Sequence, residues 1–164
     1  MSLHPYTTVD DVRAALGVSS EELEDVTLEL ETISTQLVGF LEDLDSNLPT
    51  QFETIDTMQQ NTRTTAQQKF YLVTRAYATY VVAGLMLSTL AMFSFKRITD
   101  GKAEAERSEA WDTVKQDIKD NLEILRRRVQ SAYTALNTTY SAPAPTRVNF
   151  IVAAGLATNP VTGE

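Results

Sequence analysis

The stretch "YATYVVAGLMLSTLAMFSFKR", Tyr77 to Arg97, decides how the rest of the chain is read. Its nineteen residues from Tyr77 to Phe95 carry no charged side chain, and Arg75, Lys96 and Arg97 bracket them. At about 1.5 Å of rise per residue, such a helix is long enough to cross a bilayer. It equally fits the central helix of a soluble bundle. Three features favour the bundle. Thr79, Ser88, Thr89 and Ser94 dilute the apolar character. Tyr77 and Tyr80 sit at one end with no aromatic belt at the other. Two further segments carry apolar stripes that need a partner, and a helix apolar all round supplies one. Small residues Ala83, Gly84, Ser88 and Ala91 suit close helix contacts in either solvent.

Working outward, this helix begins near Thr65, with Gln68 three residues on, and ends near Arg97. Ala66, Phe70, Val73, Tyr77, Tyr80, Gly84, Leu87 and Ala91 trace one face. "TDGK", Thr99 to Lys102, is a tight break between helices and lacks the glycine run and following Ser or Thr of a phosphate loop. The next helix spans Lys102 to Thr139, with a narrow stripe of Trp111, Val114, Ile118, Leu122, Leu125, Val129, Ala132 or Tyr133, and Leu136.

Upstream, "TTVDDVRAALGV" is a short helix capped by Thr8, with Asp10 and Asp11 at its positive end and Gly17 as its stop. "SSEELEDVTLELETISTQLVGFLEDLD" opens with Ser19 and Glu22 in capping-box spacing. Leu23, Val26, Leu30, Ile33, Leu37, Phe40 and Leu44 then recur at steps of three and four, which predicts one long amphipathic helix. Asn47 and Pro49 start a short helix through Phe52 and Ile55, followed by a polar loop. The fold class is therefore all-α. A bundle over residues 1–139 has a short N-terminal helix and three longer ones, and an extended arm occupies residues 140–164. Pro143 and Pro145 open that arm, and they favour extended backbone.

Composition narrows the chemistry. The 164 residues suit one domain. With no cysteine, thiolate metal sites, disulfides and Cys nucleophiles are excluded. The single histidine, His4, lies where a frayed terminus would hold a general base poorly. Neither a Glu-x-x-His pair nor a calcium loop is present, so no cofactor or metal is expected, and an enzyme is the least favoured reading. "MSLHPYTTVDDV" lacks the basic and apolar regions of a signal peptide.

The formal charge of −8 argues against a phosphate-gripping surface. It is unevenly spread. Between Arg13 and Arg63 there is no Lys or Arg, while eleven carboxylates fall there, among them Glu42, Asp43 and Asp45. From Lys102 to Arg128 the signs alternate and nearly balance. Arg126, Arg127 and Arg128 point about 100° apart around their helix, so with the overall acidity a nucleic-acid grip is the disfavoured reading of them. Tyr71, Tyr77, Tyr80 and Tyr133 lack basic neighbours and read as core residues, not a base-stacking platform. The arm is harder to leave in water, because Phe150, Ile151, Val152 and Leu156 are apolar. It either folds back or docks on a partner, and docking is the favoured expectation.

These residues resemble a known family. "YTTVDDVRAALGVSSEELEDVTLELETISTQLVGFLEDL", Tyr6 to Leu44, is similar to the opening of the head–tail connector, or adaptor, proteins of tailed bacteriophages. That opening is a short V-x-D-V-R-x-x-L helix, a turn, and an acidic amphipathic helix. The later order of a Tyr/Ala-rich helix, "KRITDGKAEAERSE" and a polar helix is similar too, so the resemblance covers roughly residues 6 to 139. The long paired helices with a very short turn depart from many smaller members. The resemblance implies a non-enzymatic virion protein of the neck, assembled in the host cytoplasm. It implies a homo-oligomeric ring, commonly of twelve, that joins the portal protein to a stopper or tail-completion protein and lets DNA pass without specific binding. Asn149, Phe150, Ile151 and Leu156 would then be the portal anchor, and Glu42, Asp43 and Asp45 the lining of an acidic channel. No membrane partner is expected on this reading. The alternative is a small pore or lysis protein with residues 77–95 in the bilayer.

Overall fold

A computed structural model describes residues 3–94 and 101–140, with side chains described for 3–87 and 112–138. All regular structure among them is helical: α1 (Val9–Leu16), α2 (Asp25–Leu28), α3 (Glu31–Glu42), α4 (Leu48–Asp56), α5 (Thr65–Ser94) and α6 (Gly101–Tyr140), with a 3-10 turn at Gln60–Thr62. The all-α fold expected from periodicity is the fold observed. Trp111's side chain, Lys96, Arg97 and the arm beyond Tyr140 lie outside the described residues.

The first helix is as its caps dictate. Thr8 Oγ1 accepts the Asp11 N–H at 3.2 Å, and Gly17 takes the left-handed conformation at φ 67°. The residues before it are not frayed. Leu3 and Tyr6 are buried, and the Tyr6 ring stacks on Phe52 with centroids 5.1 Å apart.

The long helix expected over 19–44 is broken, and the reason is one side chain. Ser19 and Glu22 do meet, with the Glu22 carboxylate accepting both the Ser19 N–H and hydroxyl. A single turn forms and stops at Leu23. The Leu23 carbonyl accepts from Arg13 Nε at 2.9 Å and Nη2 at 2.6 Å. An uninterrupted helix would need that carbonyl for the Thr27 N–H, which instead bonds to the Glu24 carbonyl at 3.1 Å. Arg13, buried on α1, also pairs with Asp25 and lies 3.5 Å from Asp10. The helical phase therefore resets at α2 and again at α3. α3 buries Ile33, Ser34, Leu37 and Leu41, while Val26, Leu30 and Phe40, expected in the core, are 72 %, 49 % and 42 % exposed.

α4 carries Pro49 in its first turn and buries Leu48, Pro49, Phe52 and Ile55. The α5 capping box sits one residue earlier than the sequence suggested. Thr64 N–H donates to Gln67 Oε1 at 2.8 Å, and Gln67 N–H returns to Thr64 Oγ1 at 3.3 Å. α5 is the centre of the assembly, contacting α1, α3, α4 and α6. Among the described residues it is also the helix long and apolar enough to cross a membrane, over Thr65–Leu87. In the fold that stretch buries Phe70, Tyr77, Ala78, Val81, Val82, Ala83 and Met86 against its neighbours.

α6 runs back antiparallel along α5. Phe70 meets Tyr133 with ring centroids 5.8 Å apart, and Gly84 faces Leu122 and Ile118. The α6 stripe is as expected, with Ile118, Leu125, Val129, Ala132 and Leu136 buried and Val114, Leu122 and Tyr133 packed beside them. Phe52 is the hub of the core, stacked on Tyr6 and on Tyr71 and edge-on to Phe70.

Candidate functional site

The acidic residues singled out in sequence lie where α3 ends and the chain turns into α4. They do not share one environment. Glu42 and Asp43 are exposed. Asp45 is half-buried, and its Oδ1 accepts the Tyr133 hydroxyl and the Asn47 N–H, both at 2.9 Å. Asp45 thus ties the α3–α4 corner to α6, helped by a 3.2 Å bond from Gln51 Nε2 to Asn137 Oδ1. Burial, then the bond to Asp45, pushes the Tyr133 hydroxyl up in pKa, while a bond to Asn137 opposes them. Burial also raises Tyr77, where Arg126 pulls the other way and Asp43 adds to the rise. The expected partner anchor, Asn149, Phe150, Ile151 and Leu156, lies outside the described residues.

Between α1 and α5 lies an open groove of about 460 Å³ lined by Asp11, Ala14, Ala15, Arg75, Ala76, Thr79 and Tyr80. Its two charged groups pair with each other at 3.3 Å, and Thr79 Oγ1 lies 2.7 Å from Thr7 Oγ1. What it offers is alanine and hydroxyl surface. Tyr6 donates to Glu53 Oε1 at 2.7 Å, and burial followed by that carboxylate holds its hydroxyl far above the ordinary tyrosine range. Tyr71 donates to Asp56 at 2.9 Å beneath the Arg63 guanidinium, 4.0 Å from its ring. Both hydroxyls meet carboxylates, and Tyr71, expected to lack basic neighbours, is partly buried with Arg63 over its ring and Arg75 5.9 Å from the ring centre. Among the described residues, no group of three or more His, Asp or Glu is placed to hold a metal ion.

The surface has another kind of feature. Among the described residues, five large apolar side chains stand exposed: Val26, Leu30 and Phe40 on the α2–α3 edge, and Leu72 at 55 % and Ile124 at 48 % on the α5–α6 hairpin. Sequence periodicity placed the first three in the core. The other two fall off the stripes of their helices, beside Val73 and Leu125, and that was the readable signal. Exposed apolar groups of this size mark contact surfaces when they gather. The charges around them differ. Asp25, Glu29 and Asp43 are exposed near the first group, whereas both signs are exposed near the second, Lys69, Arg127 and Arg128 together with Asp120 and Glu123. Comparison with family models, characterised proteins and solved structures gives no match for this chain.

Proposed function

We propose that this protein is a structural connector of a tailed-phage neck, a ring-forming adaptor between the portal and the stopper or tail. The observation that carries this reading is the order of elements over residues 6–139. The Thr8-capped helix "VDDVRAAL", the acidic amphipathic segment, the Tyr/Ala-rich helix and the polar helix follow one another as in that family. Separate exposed apolar surfaces, and a groove whose charges are already paired, support a partner-binding role without catalysis. The arm from residue 141 onward is the proposed portal anchor, through Asn149, Phe150, Ile151 and Leu156. Exposed Glu42 and Asp43, with Asp45 behind them, are the proposed channel lining, where negative charge keeps DNA sliding because it repels phosphate.

The test is co-sedimentation of the detergent-free protein with its matching portal ring. Binding that is lost when residues 141–164 are removed supports connector and anchor together, and a soluble protein that ignores the portal refutes the role. Neutralising Glu42, Asp43 and Asp45 should increase DNA retention in assembled rings; unchanged retention and ejection would count against the channel. A second reading, a membrane-inserted helical protein, is favoured by the length and apolar character of α5 over Thr65–Leu87. A requirement for detergent to keep the folded chain in solution would select it.

A further inference from the structure

The groove between α1 and α5 differs from the other exposed apolar surfaces in its charges. Ala14, Ala15 and Ala76 line it with Thr79 and Tyr80, and its two charged groups, Asp11 and Arg75, already pair with each other. Leu72, 55 % exposed, lies one turn before Ala76 and two before Thr79 and Tyr80, on the same side of α5, so it extends the groove at one end. Lys69, a turn further out, is exposed and keeps its ammonium in water. Covering this surface takes no unpaired charge out of water, which is the costly part of covering a mixed one. Elsewhere that cost is incurred. Val26, Leu30 and Phe40 lie in the stretch without Lys or Arg, near exposed Glu29 and Asp43, and Ile124 lies among Asp120, Glu123, Arg127 and Arg128.

The chain carries a segment of matching character. The sixteen residues from Val148 to Gly163 hold no charge and include Phe150, Ile151, Val152 and Leu156. Their tether has the right length. Tyr133 meets Phe70 across the antiparallel pair, so Tyr140 ends α6 about 10 Å beyond the level of Phe70. Leu72 is then about 14 Å back along the axis and Thr79 about 24 Å. Both lie on the side of α5 opposite Phe70, so a chain leaving α6 must also pass around a helix about 10–12 Å across. The eight residues from Ser141 to Val148 cover about 26 Å when extended, as Pro143 and Pro145 favour. The uncharged run therefore begins where the chain first reaches the Leu72 end of the groove. We propose that in the free protein the segment from Val148 to Leu156 docks in the α1–α5 groove of its own chain, with Phe150 and Ile151 against Leu72 and the alanines. This seat goes beyond the connector reading and is tested with no portal present, so the failure of either leaves the other standing.

The experiment is disulfide trapping in the full chain, which has no cysteine of its own to confuse the result. One variant carries Ala76→Cys with Phe150→Cys. Its control carries Ile124→Cys with Phe150→Cys, because Ile124 is exposed and also about 24 Å along the axis from Tyr140. Tethering raises the local concentration of the arm at any site within its reach, so the comparison is between the two sites. Under mild oxidation at low protein concentration, the groove pair should close within one chain about ten-fold faster than the control or better. Equal rates would overturn the proposal. So would a groove pair that links two chains in preference to closing within one, since the arm would then seat on a second copy. Should the paired cysteines disturb folding, Ala76→Cys alone reads the same seat without a bond. Adding Phe150→Asp and Ile151→Asp to it should speed maleimide labelling of the thiol several-fold, and an unchanged rate would overturn the proposal.

Discussion

Replacing Gly84 tests the α5–α6 packing with two variants of opposite expected sign. A β-carbon built on Gly84 meets Leu122 Cδ1 at 3.4 Å and Ile118 Cγ2 at 3.8 Å, which is ordinary van der Waals contact. Gly84→Ala therefore adds a methyl without a clash. It also removes the backbone entropy cost of a glycine inside a helix, about 0.5–1 kcal/mol. The new contacts work in the same direction, so the net expectation is about 1 kcal/mol of stabilisation. For a domain of this size that raises Tm by about 3–6 °C. Gly84→Leu extends further into the Leu122 and Ile118 side chains, and overpacking of this kind costs about 1–3 kcal/mol. Urea and thermal melts followed by far-UV circular dichroism measure both. A destabilised alanine variant, or a leucine variant as stable as the alanine one, would mean that the two helices do not meet at this point.

Arg13→Lys should destabilise by about 1–3 kcal/mol, because a lysine cannot reproduce the two-nitrogen grip on the Leu23 carbonyl; limited proteolysis should then cut first between α1 and α3, and full retention of stability would refute the assigned role. Thr74 is fully buried, and its hydroxyl has no hydrogen-bond partner among the described residues, so Thr74→Val should stabilise by about 1 kcal/mol in a urea melt. Burial first, aided by Glu53 or Asp45 for Tyr6 and Tyr133, raises Tyr6, Tyr77 and Tyr133 above the ordinary value of 10.0. The folded state then holds these protons longer than the unfolded chain, so their stabilisation is complete below about pH 10 and is lost as pH rises beyond it. Stability should therefore fall as pH rises above about 10, with Tyr6→Phe flattening the fall, and absorbance near 295 nm should show these tyrosines ionising late.

Local signals were legible where local physics decided the outcome. Thr8 and Gly17 bound α1 as written, and the Ile118 to Leu136 stripe is buried as its spacing required. The break in 19–44 was not legible, because it depends on Arg13 reaching across ten residues to a carbonyl that helical periodicity assumes is available. Once that carbonyl is taken, the three–four pattern continues in sequence but no longer on one face, and Val26, Leu30 and Phe40 emerge into solvent. The same limit applied to the acidic group. Charge counting gave Glu42, Asp43 and Asp45 equal standing, but a tyrosine 88 residues away singles out Asp45 as a structural tie. Leu72 and Ile124 could be found from sequence, since a large apolar residue off a clear stripe has no partner within its own bundle.

The aromatic column around Phe52 has a consequence for how folding can be watched. It gathers Tyr6, Phe52, Phe70, Tyr71 and Tyr133, from four widely separated parts of the chain. No hairpin or single helix can assemble it alone, so loop closures over long stretches must precede its formation. The rings that stack there give near-ultraviolet dichroism only when the ends of the chain have come together. Far-ultraviolet dichroism is dominated instead by α5 and α6, the two longest helices. The two signals therefore report different events. If the paired helices form before the N-terminal segments seat on them, helical signal will appear ahead of tyrosine signal, and the interval between them will time the closing of the core.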